Sequence, residues 1–338
     1  MENSTGSCVP GEEPNLSYNP PVILITFFLG FAGNAIGLWI FCFNVKFRRP
    51  NIVYSLNLMI ADTLLICCLP FRAVYFLRRK DWIFGDVSCR LNIFMISLNR
   101  IGSVNFLMVI AIDRYFKVVH PLHKVSRINP KCAWKIASAL WIVALAVCLH
   151  LLTEPHDFKH NNVTSCEPFN ILNPLSPTAI WTDIVFIFFK FVLPVSVLLF
   201  STSCIIWKLR QMEAEIRRKY RRAVKLVIAV TGVFVVCFLP TNVAVVAVLV
   251  TKLSTTGCKS YVTAVNIFYN TLFLTYLNSV VDPVIYYFSN SSFKDALRKN
   301  LLRLNLRRCE SPTNLENDQG QFQRVQSGNA QAISATRV

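Results

Sequence analysis

The chain has 338 residues, of which 54% are hydrophobic and 16% charged, with a mean hydropathy of +0.45. That balance is too apolar for an ordinary soluble domain and reads as a polytopic membrane protein. The net charge of +17 invites a nucleic-acid reading, but the basic residues alternate between the segments that join apolar runs, a pattern of membrane topology with no nucleic-acid partner.

Residues 1–20 are polar, without a charged start followed by an apolar core, so no cleavable signal peptide is expected. Seven apolar runs follow, at 22–43, 52–77, 89–119, 132–152, 180–207, 223–250 and 262–288, each long enough to span a bilayer. The segments at 46–49, 114–135, 208–225 and 294–337 hold 25 of the 35 Lys and Arg residues. By the positive-inside rule that side is cytoplasmic, and an odd number of spans puts the N-terminus outside. The sequons at Asn3, Asn15 and Asn162 fall on that outer side and are candidate glycosylation sites. The predicted fold is an all-α, seven-transmembrane helix bundle. Its expected divisions are an outer tail at 1–20, the bundle at 21–290, an amphipathic surface helix at 291–308 and a disordered inner tail at 309–338.

The first run contains Asn34. The second contains Asp62, then Pro70 and Arg72. The third begins at Cys89, carries Arg100 and Ser103 inside, and ends in Asp113-Arg114-Tyr115. At about 1.5 Å per residue, Cys89 and Arg114 stand roughly 37 Å apart, so one helix reaches both sides. At 100° per residue, Cys89, Arg100, Ser103, Leu107 and Arg114 share one face. Arg100 lies about 16 Å below Cys89 by the same rise. The fifth run holds Lys190 one turn before Pro194, and the seventh holds Asn278, Ser279 and Asp282.

Intramembrane charges are costly, face the bundle interior and need partners. Arg100, Lys190 and Arg72 have no acid at helical spacing on their outer sides, so an anionic ligand fits them, a carboxylate in particular for the planar guanidinium fork. The alternative is internal pairing, with Glu167 for example, or snorkelling of Lys190. Asp62 and Asp282, with Ser103 and Asn278, form an oxygen-rich set suited either to a hydrated cation or to a polar network that packs helices. Pro70, Pro194, Pro240 and Pro283 interrupt spans, and kinks are expected there.

Four of twelve cysteines face outside. A bridge between Cys89 and Cys166 would tie the loop before the fifth span over the bundle centre. Cys8 and Cys258 then pair by elimination, or remain free thiols. On the inner side, the loop at 208–225 is strongly basic. After the seventh span, Phe293, Leu297, Leu301 and Leu304 recur opposite Arg298, Lys299, Arg303 and Arg307, the pattern of a helix on the membrane surface. Cys309 follows at interfacial depth, either a palmitoylation site or a free thiol. The terminal Thr336-Arg337-Val338 fits a PDZ-domain ligand.

The residues Gly33-Asn34, Leu58-Met59-Ile60-Ala61-Asp62, Asp113-Arg114-Tyr115, Trp141, Cys237-Phe238-Leu239-Pro240 and Asn278-Ser279-Val280-Val281-Asp282-Pro283-Val284-Ile285-Tyr286 resemble the rhodopsin-like G-protein-coupled receptors. Leu69-Pro70-Phe71-Arg72, Asn99-Arg100 and the stretch from Arg114 to Pro121 resemble the hydroxycarboxylic acid receptors and the neighbouring oxoeicosanoid receptor, and Ser165-Cys166-Glu167 resembles the lactate-receptor member. The resemblance implies a carboxylate ligand, from small hydroxy acids to oxidised fatty acids, held by Arg100 and Tyr276, with Arg72, Lys190 and Phe169 as further candidate contacts. It implies a sodium ion at Asp62, Ser103, Asn278 and Asp282. It also implies G-protein coupling and activation through Asp113, Arg114, Tyr115 and Tyr286, an inhibitory G protein and arrestin as partners, and a plasma-membrane location. Phe238 departs from most of the rhodopsin-like family, which carries tryptophan there, while Val245, Pro168 and Lys190 depart from the hydroxycarboxylic acid receptors, and the loss of polar groups above Arg100 suits a longer acyl tail. An anion transporter or channel is the competing class, but no internal repeat or broken-helix pair supports it. A retinal protein would need a lysine in 262–288, which has none. His120, His123 and His150 are too scattered for a metal centre, and no converging acid-base set suggests an enzyme.

Overall fold

The computed structural model describes residues 19–43, 49–153, 156–160, 163–167, 187–253, 258–289, 293–300 and 302. Among them are seven long helices: α1 (Asn19–Phe43), α2 (Pro50–Leu77), α3 (Asp86–Val119), α4 (Pro130–Cys148), α5 (Leu193–Arg210), α6 and α7 (Cys258–Ser289). Helix α6 runs through Ala214–Val233, a π-turn at Phe234–Phe238 and Leu239–Leu253. The chain divides into two units, Met1–Ser291 and Ser292–Val338, and in the second residues 293–300 are helical. The inner tail from 309 onward lies outside the described residues.

Local chemistry sets the helix ends. Pro50 and Pro130 stand at first-turn positions, where their missing N–H is no loss. The Asn129 side chain caps α4 by accepting from the Cys132 amide at 2.8 Å. Gly85, at φ 82°, breaks the chain before α3 in a conformation that favours glycine. The expected proline disturbances take a particular form in two spans. Pro194 directly follows a π-turn at Phe188–Val192, and Pro240 follows the one at Phe234–Phe238. A proline withdraws the N–H that the carbonyl four residues earlier would bond, and the wider turn rearranges that ladder.

Among the described residues, six helical segments are long and apolar enough to cross a membrane. Helix α7 has the length, at 32 residues, but is less apolar, because it buries Tyr269, Thr275, Tyr276, Asn278, Ser279 and Asp282. The outward faces carry exposed Phe28, Phe31, Trp39, Ile142, Phe200 and Trp207, the inverse of a soluble surface. Since lipid is as apolar as leucine, small residues and hydrogen bonds hold such helices together. Asn34 of α1 donates to Ser279 O of α7 at 2.8 Å, Asn99 of α3 to Ala61 O of α2 at 2.9 Å, and Thr241 of α6 to Thr271 O of α7 at 2.8 Å. Trp141 of α4 donates to Asn57 Oδ1 of α2 at 2.9 Å. Gly33 lets α1 approach α7: a Cβ there would meet Pro283 Cγ at 2.9 Å.

Two expectations change. The basic segment 208–225 is mostly helix rather than loop: α5 ends at Arg210 and α6 starts at Ala214, because Ala, Glu, Arg and Lys favour helix beyond the membrane. The outer loop before α5 is not wholly irregular either. Strands β1 (Asp157–His160) and β2 (Val163–Cys166) pair antiparallel, with Asp157 opposite Cys166. Replacing Trp141 by Phe leaves the Asn57 carbonyl buried without its donor, and should cost about 1–3 kcal/mol, read as a lower unfolding midpoint of the detergent-solubilised protein. An unchanged midpoint would show that this bond does not hold α4 to α2.

Candidate functional site

At the outer end, β2 finishes at Cys166, which is bonded to Cys89 at the top of α3. The hairpin is pinned to the loop after α2 by Trp82 N to Thr164 O at 2.7 Å and by Thr164 N to Asp81 Oδ1 at 3.1 Å. The next residue, Glu167, turns inward and is only 6% exposed. Its Oε1 accepts from the Tyr75 hydroxyl at 2.7 Å, and Tyr269 of α7 interacts with the same carboxylate. Arg72, 4% exposed, donates through Nη1 to Cys166 O at 3.0 Å. It stacks above the Tyr75 ring at 5.5 Å and lies within electrostatic reach of Glu167. The internal partner considered for the outer cations is therefore present, and it serves Arg72. Lys80 sits 4.3 Å over the Tyr269 ring at the rim.

Deeper, Arg100 differs. No carboxylate among the described residues lies within ion-pair distance of it, and its Nε is buried without a partner. Tyr276 of α7, 2% exposed, faces both Arg100 and Arg72 closely enough to feel their charges, and its hydroxyl has no partner either. Tyr276 itself belongs to an apolar cluster with Leu65, Leu69, Ile96, Ala244 and Leu272, against which Val245 packs. A guanidinium and a phenol with unmet donors can take an oxyanion through charge-assisted hydrogen bonds. The backbone of Lys190 lies in the π-turn before α5, but its side chain is outside the described residues, as are Phe169 and Pro168.

At mid-depth, Asp62 accepts from the Ser279 hydroxyl at 3.0 Å and from Asn278 Nδ2 at 3.5 Å. Asn278 also donates to Asp282 Oδ2 at 2.8 Å, and the two carboxylates are close enough to interact directly. Ser103 accepts from Asn99 at 3.3 Å, and Asn99 also donates to the carbonyl of Ala61, the residue before Asp62. Asp62, Ser103, Asn278, Ser279 and Asp282 are all fully buried. Two carboxylates in such contact cannot both stay ionised in low dielectric without a shared proton or a cation. One oxygen each of Asn278 and Asp282 has no bonded partner, so the donor set fits a small cation.

At the inner end, Arg114 Nη2 lies 3.3 Å from Asp113 Oδ2. The Tyr115 hydroxyl contacts His120 Nε2 at 3.2 Å. The side chain of Tyr286 lies outside the described residues. The same holds for Cys8, the Cys258 side chain, Cys309, the sequons at Asn3, Asn15 and Asn162, and Thr336 to Val338.

The structure thus sets Arg100 and Tyr276 beneath Arg72, and brings Asp62, Asn278 and Asp282 together at mid-depth, with Ser103 bonded to Asn99. Sequence reasoning passed over Tyr75, Tyr269 and Lys117. Tyr75 lies three residues after Arg72 and Lys117 four after Asp113, spacings that a helix converts into contact. Tyr269 stands nearly two turns before Tyr276 on the same helix, a phase that puts both in one buried cluster.

Comparison with known proteins bears on what this arrangement serves. Residues 33–286 match the family model of the 7 transmembrane receptor (rhodopsin family). The chain is 39% identical to hydroxycarboxylic acid receptor 2 of Homo sapiens over 288 residues, covering 85% of this chain and 78% of that protein. It is 40% identical to hydroxycarboxylic acid receptor 1 of Mus musculus, covering 86% and 83% respectively. Against oxoeicosanoid receptor 1 of Homo sapiens it is 34% identical, covering 86% and 74%. Match length and apolar helices together make it a multi-pass plasma-membrane receptor and not an enzyme. The chain belongs to the rhodopsin family of seven-transmembrane G-protein-coupled receptors, in the branch that contains the hydroxycarboxylic acid and oxoeicosanoid receptors.

Proposed function

We propose that this receptor is activated from outside the cell by a carboxylate, and signals through an inhibitory G protein to lower cAMP. The observation that carries the proposal is Arg100, a half-buried residue whose Nε is buried without a partner, beside an unmet Tyr276 hydroxyl. A carboxylate bridging the two neutralises the charge and satisfies both donors. Arg72 is already engaged by the Cys166 carbonyl and by Glu167, so it stands above the ligand as part of the lid and reaches it, if at all, with its remaining donors. Lys190 and Phe169 are further candidate contacts.

A second reading, an oxidised fatty acid instead of a small hydroxy acid, has its own support. Val245 packs against the apolar cluster that contains Tyr276, surroundings that suit an aliphatic tail better than a polar metabolite. The related proteins' names include acids of both sizes. The rest of the proposal follows the same logic. The basic inner segments and the outer sequons support an extracellular N-terminus. Asp62, Ser103, Asn278 and Asp282 hold a sodium ion in the resting receptor. Asp113, Arg114, Tyr115 and Tyr286 transmit activation. Arrestin is a further partner, Cys309 is a palmitoylation site, Cys8 pairs with Cys258, and Thr336-Arg337-Val338 binds a PDZ domain.

Two experiments test this. In a cAMP-inhibition assay with short hydroxy acids and oxidised polyunsaturated fatty acids, Arg100→Ala should lower potency for whichever class activates the wild type by about a hundredfold or more, since an unpaired buried partner costs about 3–5 kcal/mol. Unchanged potency would remove Arg100 from the site. Replacing sodium by a bulky organic cation should raise basal nucleotide exchange in the wild type and leave Asp62→Asn unaffected. A sodium response that survives Asp62→Asn would leave the mid-depth cluster a packing network only.

A further inference from the structure

The inner end of α3 presents more positive charge than its one acid can serve. Asp113, with its side chain 7% exposed, is the partner of two cations. Lys117, one turn further along α3, places Nζ 2.7 Å from Oδ1 and 2.8 Å from Oδ2, so it holds both oxygens. Arg114 reaches one of those oxygens, at 3.3 Å, and its buried Nε has no partner. Arg49, just before α2, adds a third positive charge felt by both Arg114 and Lys117.

Among the described residues the facing helices offer Arg114 no replacement acid. The cluster that closes this end joins Val118 and Tyr115 of α3, Ile205 and Leu209 of α5, and Tyr220 and Val227 of α6. The contact between α3 and α6 here is apolar. In this part of α6 the acids are Glu213 and Glu215, at its very start, and neither forms an ion pair with Arg114 among the described residues.

We propose that Lys117 is a positioning residue that weakens the hold of Asp113 on Arg114, and so sets the ligand-independent activity of the receptor. The inference rests on the reading of Arg114 as the residue that engages the G protein. Two cations that share one carboxylate repel each other, and the one with the shorter, two-point contact keeps it. When Arg114 swings away from Asp113, the Lys117 pair stays intact and the repulsion falls. With Lys117 absent, Arg114 is the one ion-pair partner left to Asp113 among the described residues, and its release leaves that carboxylate without a cation in a nearly buried position. Lys117 therefore lowers the cost of releasing Arg114.

The test measures basal nucleotide exchange on a panel of heterotrimeric G proteins, with the full-length receptor in cell membranes, normalised to surface receptor and without added ligand. Lys117→Gln should lower basal exchange by about threefold or more, Lys117→Arg should restore most of it, and Asp113→Asn should raise it. The double variant separates mechanisms. If Lys117 works through Asp113, Lys117→Gln changes nothing once Asp113→Asn is present. If Lys117 instead touches the G protein, it still lowers exchange in that background, and the proposal falls. It falls too if the wild type shows no basal exchange on any G protein, or if Lys117→Gln matches or exceeds it. Should Asp113→Asn leave basal exchange unchanged, the restraint of Arg114 by Asp113 is itself wrong, a failure distinct from that of Lys117. None of these readings depends on the identity of the ligand or on Arg100.

Discussion

A guanidinium enclosed in a membrane bundle must find an anion, and in this receptor that requirement organises the outer half. Arg100 stands in α3 without a carboxylate at ion-pair distance among the described residues, while Arg72, one helix away, has the Cys166 carbonyl and the nearby Glu167. The difference between them comes from the disulfide. By fixing the end of β2 to the top of α3, it delivers Glu167 to Arg72, Tyr75 and Tyr269 and stops it short of Arg100. The lid is neutralised from within, and Arg100 beneath it keeps a positive charge for something from outside.

The same economy of polar groups recurs down the bundle. Between helices, asparagine, threonine and tryptophan side chains reach backbone carbonyls or each other, which is how apolar helices gain a definite register in lipid. The mid-depth acids are linked to this scaffold through Asn278 and Ser279, and Ser279 also accepts from Asn34 through its carbonyl. A change in charge at Asp62 or Asp282 thus acts on the contact between α1 and α7 directly. The π-turns before Pro194 and Pro240 leave α5 and α6 locally rewound beside the aromatic stack of Phe191, Phe234 and Phe238. Phe238 stands where most of the family carries tryptophan, and here its ring packs fully buried against Phe234.

Much of this was legible in the sequence because helical periodicity and bilayer thickness are strict constraints. The seven spans, the shared face of α3, the pairing of Cys89 with Cys166 and the clustering of Asp62 with Asp282 all follow from spacing, hydropathy and family likeness. What was not legible depends on tertiary placement. A loop residue such as Glu167 carries no period that announces which cation it will meet, and only the hairpin register decides it. The π-turns are hidden because a proline predicts a disturbance but not its form. The basic start of α6 was misread because charge was taken as a sign of loop, whereas Glu, Lys and Arg are good helix formers outside the membrane.

The central claim is that the ligand's negative charge meets Arg100. The most direct measurement is the thermal stabilisation of the purified receptor by an activating acid and by its methyl ester, which has the same carbon skeleton and no charge. The account predicts that the acid raises the unfolding midpoint of the wild type, that the ester does not, and that Arg100→Ala abolishes the difference. Equal stabilisation by acid and ester would contradict it, because recognition would then rest on shape and apolar surface while Arg100 went unused.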